Sequence, residues 1–277
     1  MSRFSFFTTA ELRAAGETRA TIREKVAGGY LFRVIRGWYG TAETPKQAVF
    51  AMRVGGRLGC VSALELYGAW VPPESGTHVV FATAASGRRS AGRPRGASVV
   101  RHWSAPDDRT GSAFAVAPLD LAITDALKCL PPHLAIAVLD SLLHRRLISR
   151  NRLEAVLARG PKRTRFLAGH LEARSESGIE SIVRFRLALA GVVARVQVAF
   201  REQFRLDLEI DGWLVLEIDG RETHAQEQAF TRDRVRAATI MRDGRIVLQS
   251  AYATVMHDWD FVLASVLDVM RQHAPVR

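Results

Sequence analysis

The sequence predicts an α+β multidomain chain, on three observations. Cap residues and glycines near the start punctuate two short helices followed by a pair of strands. The central stretch mixes helical patches with short strand-like runs. Near the end, period-two alternation recurs in three consecutive segments set between amphipathic helices.

Residues 1–44 form the first domain. In "TTAEL", Thr8 is an N-cap with Glu11 three positions on, a capping-box pattern that starts a short helix ended by Gly16. Thr18 caps a second helix, "RATIREKVAGG", which Gly28 and Gly29 close. "YLFRVIRGWYG" interleaves apolar and basic residues around Gly37 and reads as a two-stranded wing. The whole is the pattern of a winged helix-turn-helix. Arg19 and Arg23, four apart on the second helix, share a face that Ile22 and Val26 do not. With Arg33 and Arg36 on the wing they form a basic surface suited to phosphates. The alternative is a solubilising surface on a small protein-binding domain.

Residues 45–160 form a mixed α/β middle domain. "QAVFAMRVGG", "VSALELYGAW", "PLDLAITDALKCL" and "HLAIAVLDSLLHRRLI" read as helices, "HVVFAT" and "ASVVRHW" as strands. "ASGRRSAGRPRG" between those strands reads as a basic surface loop. Cys60 and Cys129 have no CxxC or Cys/His partner spacing, so the expectation is two small buried apolar residues. His102, His133 and His144 are scattered and read as structural or surface residues. "LARGPKRTRF" reads as a linker to the third domain, residues 161–277.

In that third domain "ESGIESIVRFRLALAG" is an amphipathic helix, "ARVQVAF", "FRLDLEI" and "WLVLEIDG" are strands, "QEQAFTRDRVRAATIMRDG" is a helix, "RIVLQS" a strand and "WDFVLASVLDVMRQ" a closing helix. The order suits a mixed sheet with helices packed on it. Strand phase constrains the hairpin between the second and third strands. A two-residue Asp211-Gly212 turn would pair Asp207 with Leu216 and bury the acid among leucines. A three-residue loop, with Gly212 left-handed in a bulge, keeps the leucines on one face and makes Asp207 and Glu217 diagonal neighbours on the other.

Two carboxylates on adjacent strands repel unless a cation lies between them. Mg²⁺ (or Mn²⁺) fits, as a hard ion that takes oxygen ligands and phosphate oxygens. Glu180, on the preceding helix, is a candidate further ligand or an anchor for a metal-bound water. The competing expectation is a solvated sheet on which Asp207 and Glu217 pair with Arg205 or with a helix arginine.

Composition narrows the partner. The chain has 277 residues, 30.6 kDa, with 48% hydrophobic and 24% charged residues, which excludes a disordered chain. Lys and Arg number 39 against 28 Asp and Glu, a net charge of +11, which favours a polyanion such as double-stranded DNA. No apolar run is long enough for a membrane span, and the start lacks a signal-peptide layout, so a cytoplasmic protein with no membrane partner is expected.

The C-terminal motifs "SGIES", "VQVAF", "FRLDLEIDGWLVLEIDGRETH" and "FTRDRVRAATIMRDGRIVL" resemble the domain of unknown function 559, over roughly residues 174–272. That family is related to the very-short-patch mismatch-repair endonucleases of the PD-(D/E)xK nuclease superfamily. The resemblance implies a restriction-endonuclease-like αβββαβ domain. It makes Asp207 and Glu217 metal ligands, with Glu180 in the helix-acid position. It places His224 where a histidine acts on the water or leaving group, Asp233 as its support, and Arg232 and Arg234 on phosphate. This sequence departs from the superfamily at Asp219, where a lysine is usual. The N-terminal motifs "FTTAELRAAG", "IREKVAGGYLFRVIRGWYG" and "GCVSALELYGAW" are similar to the AbiEi-type antitoxins of type IV toxin–antitoxin systems, which implies promoter binding or a cognate toxin. Two readings follow: a DNA-binding, Mg²⁺-dependent endonuclease-like protein in phage defence or DNA repair, or a transcriptional regulator or antitoxin with an inactive nuclease-like domain. A structural or adaptor protein is a third.

Overall fold

The computed structural model describes residues 4–73, 76–82, 98–104, 111–201, 204–219 and 227–273. Helices and strands are mixed throughout, and the strands form three small sheets. No helix among the described residues is long and apolar enough to cross a membrane. The chain folds as two compact units: residues up to Leu130 with Asn151–Arg165, and Pro131–Arg150 with the residues from Phe166 onward.

The first unit begins with β1 (Phe6–Thr8), α1 (Thr9–Ala14), α2 (Arg19–Ala27), β2 (Phe32–Ile35) and β3 (Trp38–Gly40). Both helix starts are reciprocal caps. The Glu11 amide donates to Thr8 Oγ1 (3.1 Å) and the Thr8 amide to Glu11 Oε2 (2.7 Å). Thr18 and Thr21 repeat the arrangement at 3.1 and 2.9 Å. Leu12, Ile22 and Leu31 are buried together against Phe7 and Tyr39, so the cap geometry delivers one apolar residue per helix to a common core. The strands pair antiparallel in the order β1-β3-β2.

Next come α3 (Lys46–Arg53), β4 (Arg57–Leu58), α4 (Cys60–Tyr67), β5 (Thr77–Ala82), β6 (Val99–Ser104) and α5 (Leu119–Cys129). β5 lies between an antiparallel β4 and a parallel β6. Gly59 lets the chain enter α4 directly against β5, because a Cβ there would stand 2.1 Å from Val80 Cγ2. Its neighbour Cys60 takes a left-handed φ of 49°, a conformation that non-glycine residues rarely hold.

The stretch expected to be a linker is ordered secondary structure. α7 (Arg150–Arg159) runs through Leu157, and a 3-10 helix spans Lys162–His170. Gly160-Pro161 signals a break, but proline also suits a helix start, where its missing N–H is not needed. Thr164 closes that start, its amide and hydroxyl both donating to the Pro161 carbonyl.

The second unit contains α6 (Pro132–His144), α8 (Gly178–Leu189), β7 (Ala194–Phe200), β8 (Phe204–Ile210), β9 (Leu214–Asp219), α9 (Glu227–Arg242), β10 (Ile246–Ala251), α10 (Tyr252–His257) and α11 (Trp259–His273). The sheet order is β10-β9-β8-β7, with β7, β8 and β9 antiparallel and β10 joined parallel to β9 through α9. The β8–β9 pairs Leu208↔Leu216, Glu209↔Val215 and Ile210↔Leu214 leave the three-residue loop Asp211–Trp213, with Asp211 and Gly212 both at positive φ. Leu206, Leu208, Ile210, Leu214 and Leu216 are fully buried, as the alternation requires. α10 had no counterpart in the sequence reading.

Candidate functional site

The sheet register builds a polar row across four strands. Val196↔Leu208 and Val198↔Leu206 bracket Gln197 against Asp207. The β8–β9 pairs end at Leu208↔Leu216, and the next residues outward on the two neighbouring strands are Asp207 and Glu217. Glu217 is in turn paired with Gln249. Apolar neighbours on both sides of Gln197, Asp207 and Glu217 hold this row in place, since a one-residue slip would expose the leucines.

Asp207 and Glu217 meet over one guanidinium. Arg236 of α9 lies 2.8 Å from Glu217 Oε2 and 3.6 Å from Asp207 Oδ1, and it also donates to the Arg205 carbonyl. Asp207 Oδ2 accepts from the Ile218 amide at 3.0 Å. Burial, then the charge of Asp207, push the Glu217 carboxyl up to about 7, against the opposing pull of Arg236. Glu180 accepts from the Ser177 hydroxyl (2.7 Å), Gln197 Nε2 (3.0 Å) and the Glu176 amide (3.1 Å). Burial raises its pKa, and Asp207 contributes in the same direction.

The expected three-carboxylate metal seat is therefore corrected in one respect. The Asp207 charge acts on both Glu180 and Glu217, but the three are not drawn to metal-ligand spacing among the described residues. A helix arginine stands between Asp207 and Glu217, which is the pairing the competing expectation named. Arg205 instead pairs with Glu176 at 3.0 Å. His224 lies outside the described residues. Asp233 and Arg232 fall on α9, with side chains outside the described residues, as is that of Asp219 at the end of β9. Arg234 is exposed on α9, and Arg19, Arg23, Arg33 and Arg36 are exposed in the first unit.

The side chains that do reach metal-ligand spacing lie elsewhere, in the first unit. Cys60, His78, His102 and Cys129 bring four ligand atoms within 4.8 Å of one another, an arrangement able to hold a metal ion. His78 Nδ1 is 3.0 Å from His102 Nε2 and 3.9 Å from Cys129 Sγ. Four elements supply them: the start of α4, β5, β6 and the last residue of α5. In the β5–β6 register Val80 faces His102, so His78, two residues before Val80, projects on the same side of the sheet. The rings stack at 5.2 Å.

Cys60 is buried, whereas Cys129 is exposed. The shared hydrogen bond between the thiols brings Cys129 down to about 7 and, together with burial, pushes Cys60 up. Burial followed by the Lys128 charge lowers the His102 pKa. Cys60 is buried as expected, but Cys129 is exposed against expectation, and His102 is not scattered: it stands with both cysteines and His78. No short spacing marks the cluster; the signal available was Gly59-Cys60 at a helix start and a histidine in each of two adjacent strands. His133 stands apart beside Arg186, at 3.1 Å, and His144 is near the Ala173 carbonyl, also at 3.1 Å. No protein-family model matches the chain, and no curated protein matches it.

Proposed function

We propose that the chain is a DNA-binding protein whose C-terminal unit acts as a Mg²⁺-dependent endonuclease, with a restriction-endonuclease-like architecture and an N-terminal winged helix. The observation that carries this reading is the meeting of Asp207 and Glu217 in one row of the sheet, half-shielded from water and bridged by a cationic side chain. Such a pair is poised to exchange its arginine for a hard divalent cation. Asp207 and Glu217 hold that ion, and Glu180, anchored by Ser177 and Gln197, orders the polar edge beside them. The ion supplies Lewis-acid polarisation of a phosphodiester. Arg236, once released from the acids, is free to hold a phosphate oxygen, a role in which its planar fork excels. His224 moves the proton and Asp233 orients it. Arg19, Arg23, Arg33 and Arg36 keep the duplex in register through its backbone, with Arg232 and Arg234 near the cut.

Plasmid nicking tests this. The expected result is Mg²⁺- or Mn²⁺-dependent nicking by the wild type that chelator abolishes and that Asp207→Ala and Glu217→Ala each reduce by at least about 100-fold. Equal nicking by wild type and Asp207→Ala removes the assignment.

Arg236 also favours a second reading, since its guanidinium already neutralises the acids in place of a metal. On that reading the chain is a transcriptional regulator or antitoxin with an inert nuclease-like unit. Full-length protein would then take up no Mn²⁺ in calorimetric titration, and Glu217→Ala would leave DNA affinity unchanged.

A further inference from the structure

We infer that Cys60, His78, His102 and Cys129 form a closed, structural zinc site that pins α4 and α5 to the β5–β6 pair. The donor set decides the metal. Two thiolates and two imidazoles suit Zn²⁺, whereas Mg²⁺ and Mn²⁺ prefer oxygen. Tetrahedral Zn²⁺ with the usual bond lengths sets ligand edges of about 3.3 Å between nitrogens and about 3.6 Å between nitrogen and sulfur. The 3.0 Å His78–His102 and 3.9 Å His78–Cys129 separations lie within about 0.3 Å of those values, and all four ligand atoms lie within 4.8 Å of one another. His78 coordinates through Nδ1 and His102 through Nε2. Four protein ligands leave no open position for a substrate, which makes the site structural rather than catalytic.

Charge and covalent geometry agree. Two thiolates neutralise the ion, so its burial at Cys60 and His78 carries no net charge into the core. Asp125, one turn before Cys129 and 1% exposed, has a carboxylate oxygen with no hydrogen-bond partner. Its other oxygen lies 3.4 Å from Lys128, which offsets that buried charge. Cys60 holds its left-handed backbone at the helix start, a strain that persists where surrounding contacts over-determine it. Exposed Cys129 provides the route of entry. The sheet being pinned has three strands, one of them two residues long, so it has little packing of its own to hold β6.

The test uses full-length protein purified without chelator from medium holding trace zinc, iron and manganese. Elemental analysis is expected to find one zinc per chain in the wild type and in Asp207→Ala, and about a tenth of that or less in Cys129→Ser and His102→Ala. Exchange with Co²⁺ is expected to give the visible bands of a tetrahedral thiolate complex, a wild-type readout that needs no variant to fold. Chelation should lower the Tm of the wild type. A metal-free protein with both thiols titratable, a Cys60–Cys129 disulfide under non-reducing mass spectrometry, an octahedral cobalt spectrum, or zinc lost in Asp207→Ala would each overturn the assignment. None of these readouts depends on nicking, so failure of the nuclease proposal leaves this one standing.

Discussion

Asp140 is fully buried on α6, where its carboxylate accepts from the Glu172 amide at 2.7 Å and from Arg184 at 3.1 Å. Burial outweighs that pairing and pushes its carboxyl up to about 6. The folded state therefore holds this proton more tightly than the unfolded chain does. The stability that comes from the protonated form is complete below the ordinary aspartate range and is lost as pH rises through about 6. Between about pH 4 and pH 6 the loss is at most roughly 3 kcal/mol. Asp140→Asn is expected to flatten that slope in urea denaturation at several pH values; an unaltered slope would place the proton on another group. Nothing in "VLDSLL" announces this role. An acid on an apolar helix is a local anomaly, and its partners Arg184 and Glu172 come from distant segments.

Among elements, the helix starts were the most legible. A capping box links residues three apart, so Thr8 and Glu11 specify their own geometry whatever packs on them. Thr8→Ala is expected to cost about 1 kcal/mol in chemical denaturation; an unchanged midpoint would mean that tertiary contacts, not the cap, hold α1. The β8–β9 hairpin was also readable, because only a three-residue loop keeps both leucine faces consistent. The same local logic failed at Gly160-Pro161, a dipeptide equally able to end a helix and to begin one, and at α10, too short to show a period.

For the whole molecule, a net charge of +11 sets the expected ionic behaviour. On the DNA-binding proposal, log affinity falls linearly with log salt, and the Arg19→Ala/Arg23→Ala double variant lowers that slope by roughly 2. Fluorescence anisotropy across a salt series measures it, and a slope unaffected by the double variant would take these arginines off the DNA. Glu217→Ala should leave the slope where it is, because an acid on the sheet releases no counterions from DNA.

Helix starts, strand phase and the sharing of one sheet face by Asp207 and Glu217 follow from interactions spanning a few residues, so the linear order of side chains already contains them. The identity of the cation beside those acids does not. It depends on how α9 lies on the sheet and carries Arg236 over the row. The Cys60, His78, His102 and Cys129 cluster lies further still from any local rule. Its members sit on four elements, and their meeting requires β5 to pair parallel with β6 at one register while both helix ends arrive at the same edge. Packing free energy, summed over the entire unit, selects that register; no neighbouring pair of residues encodes it.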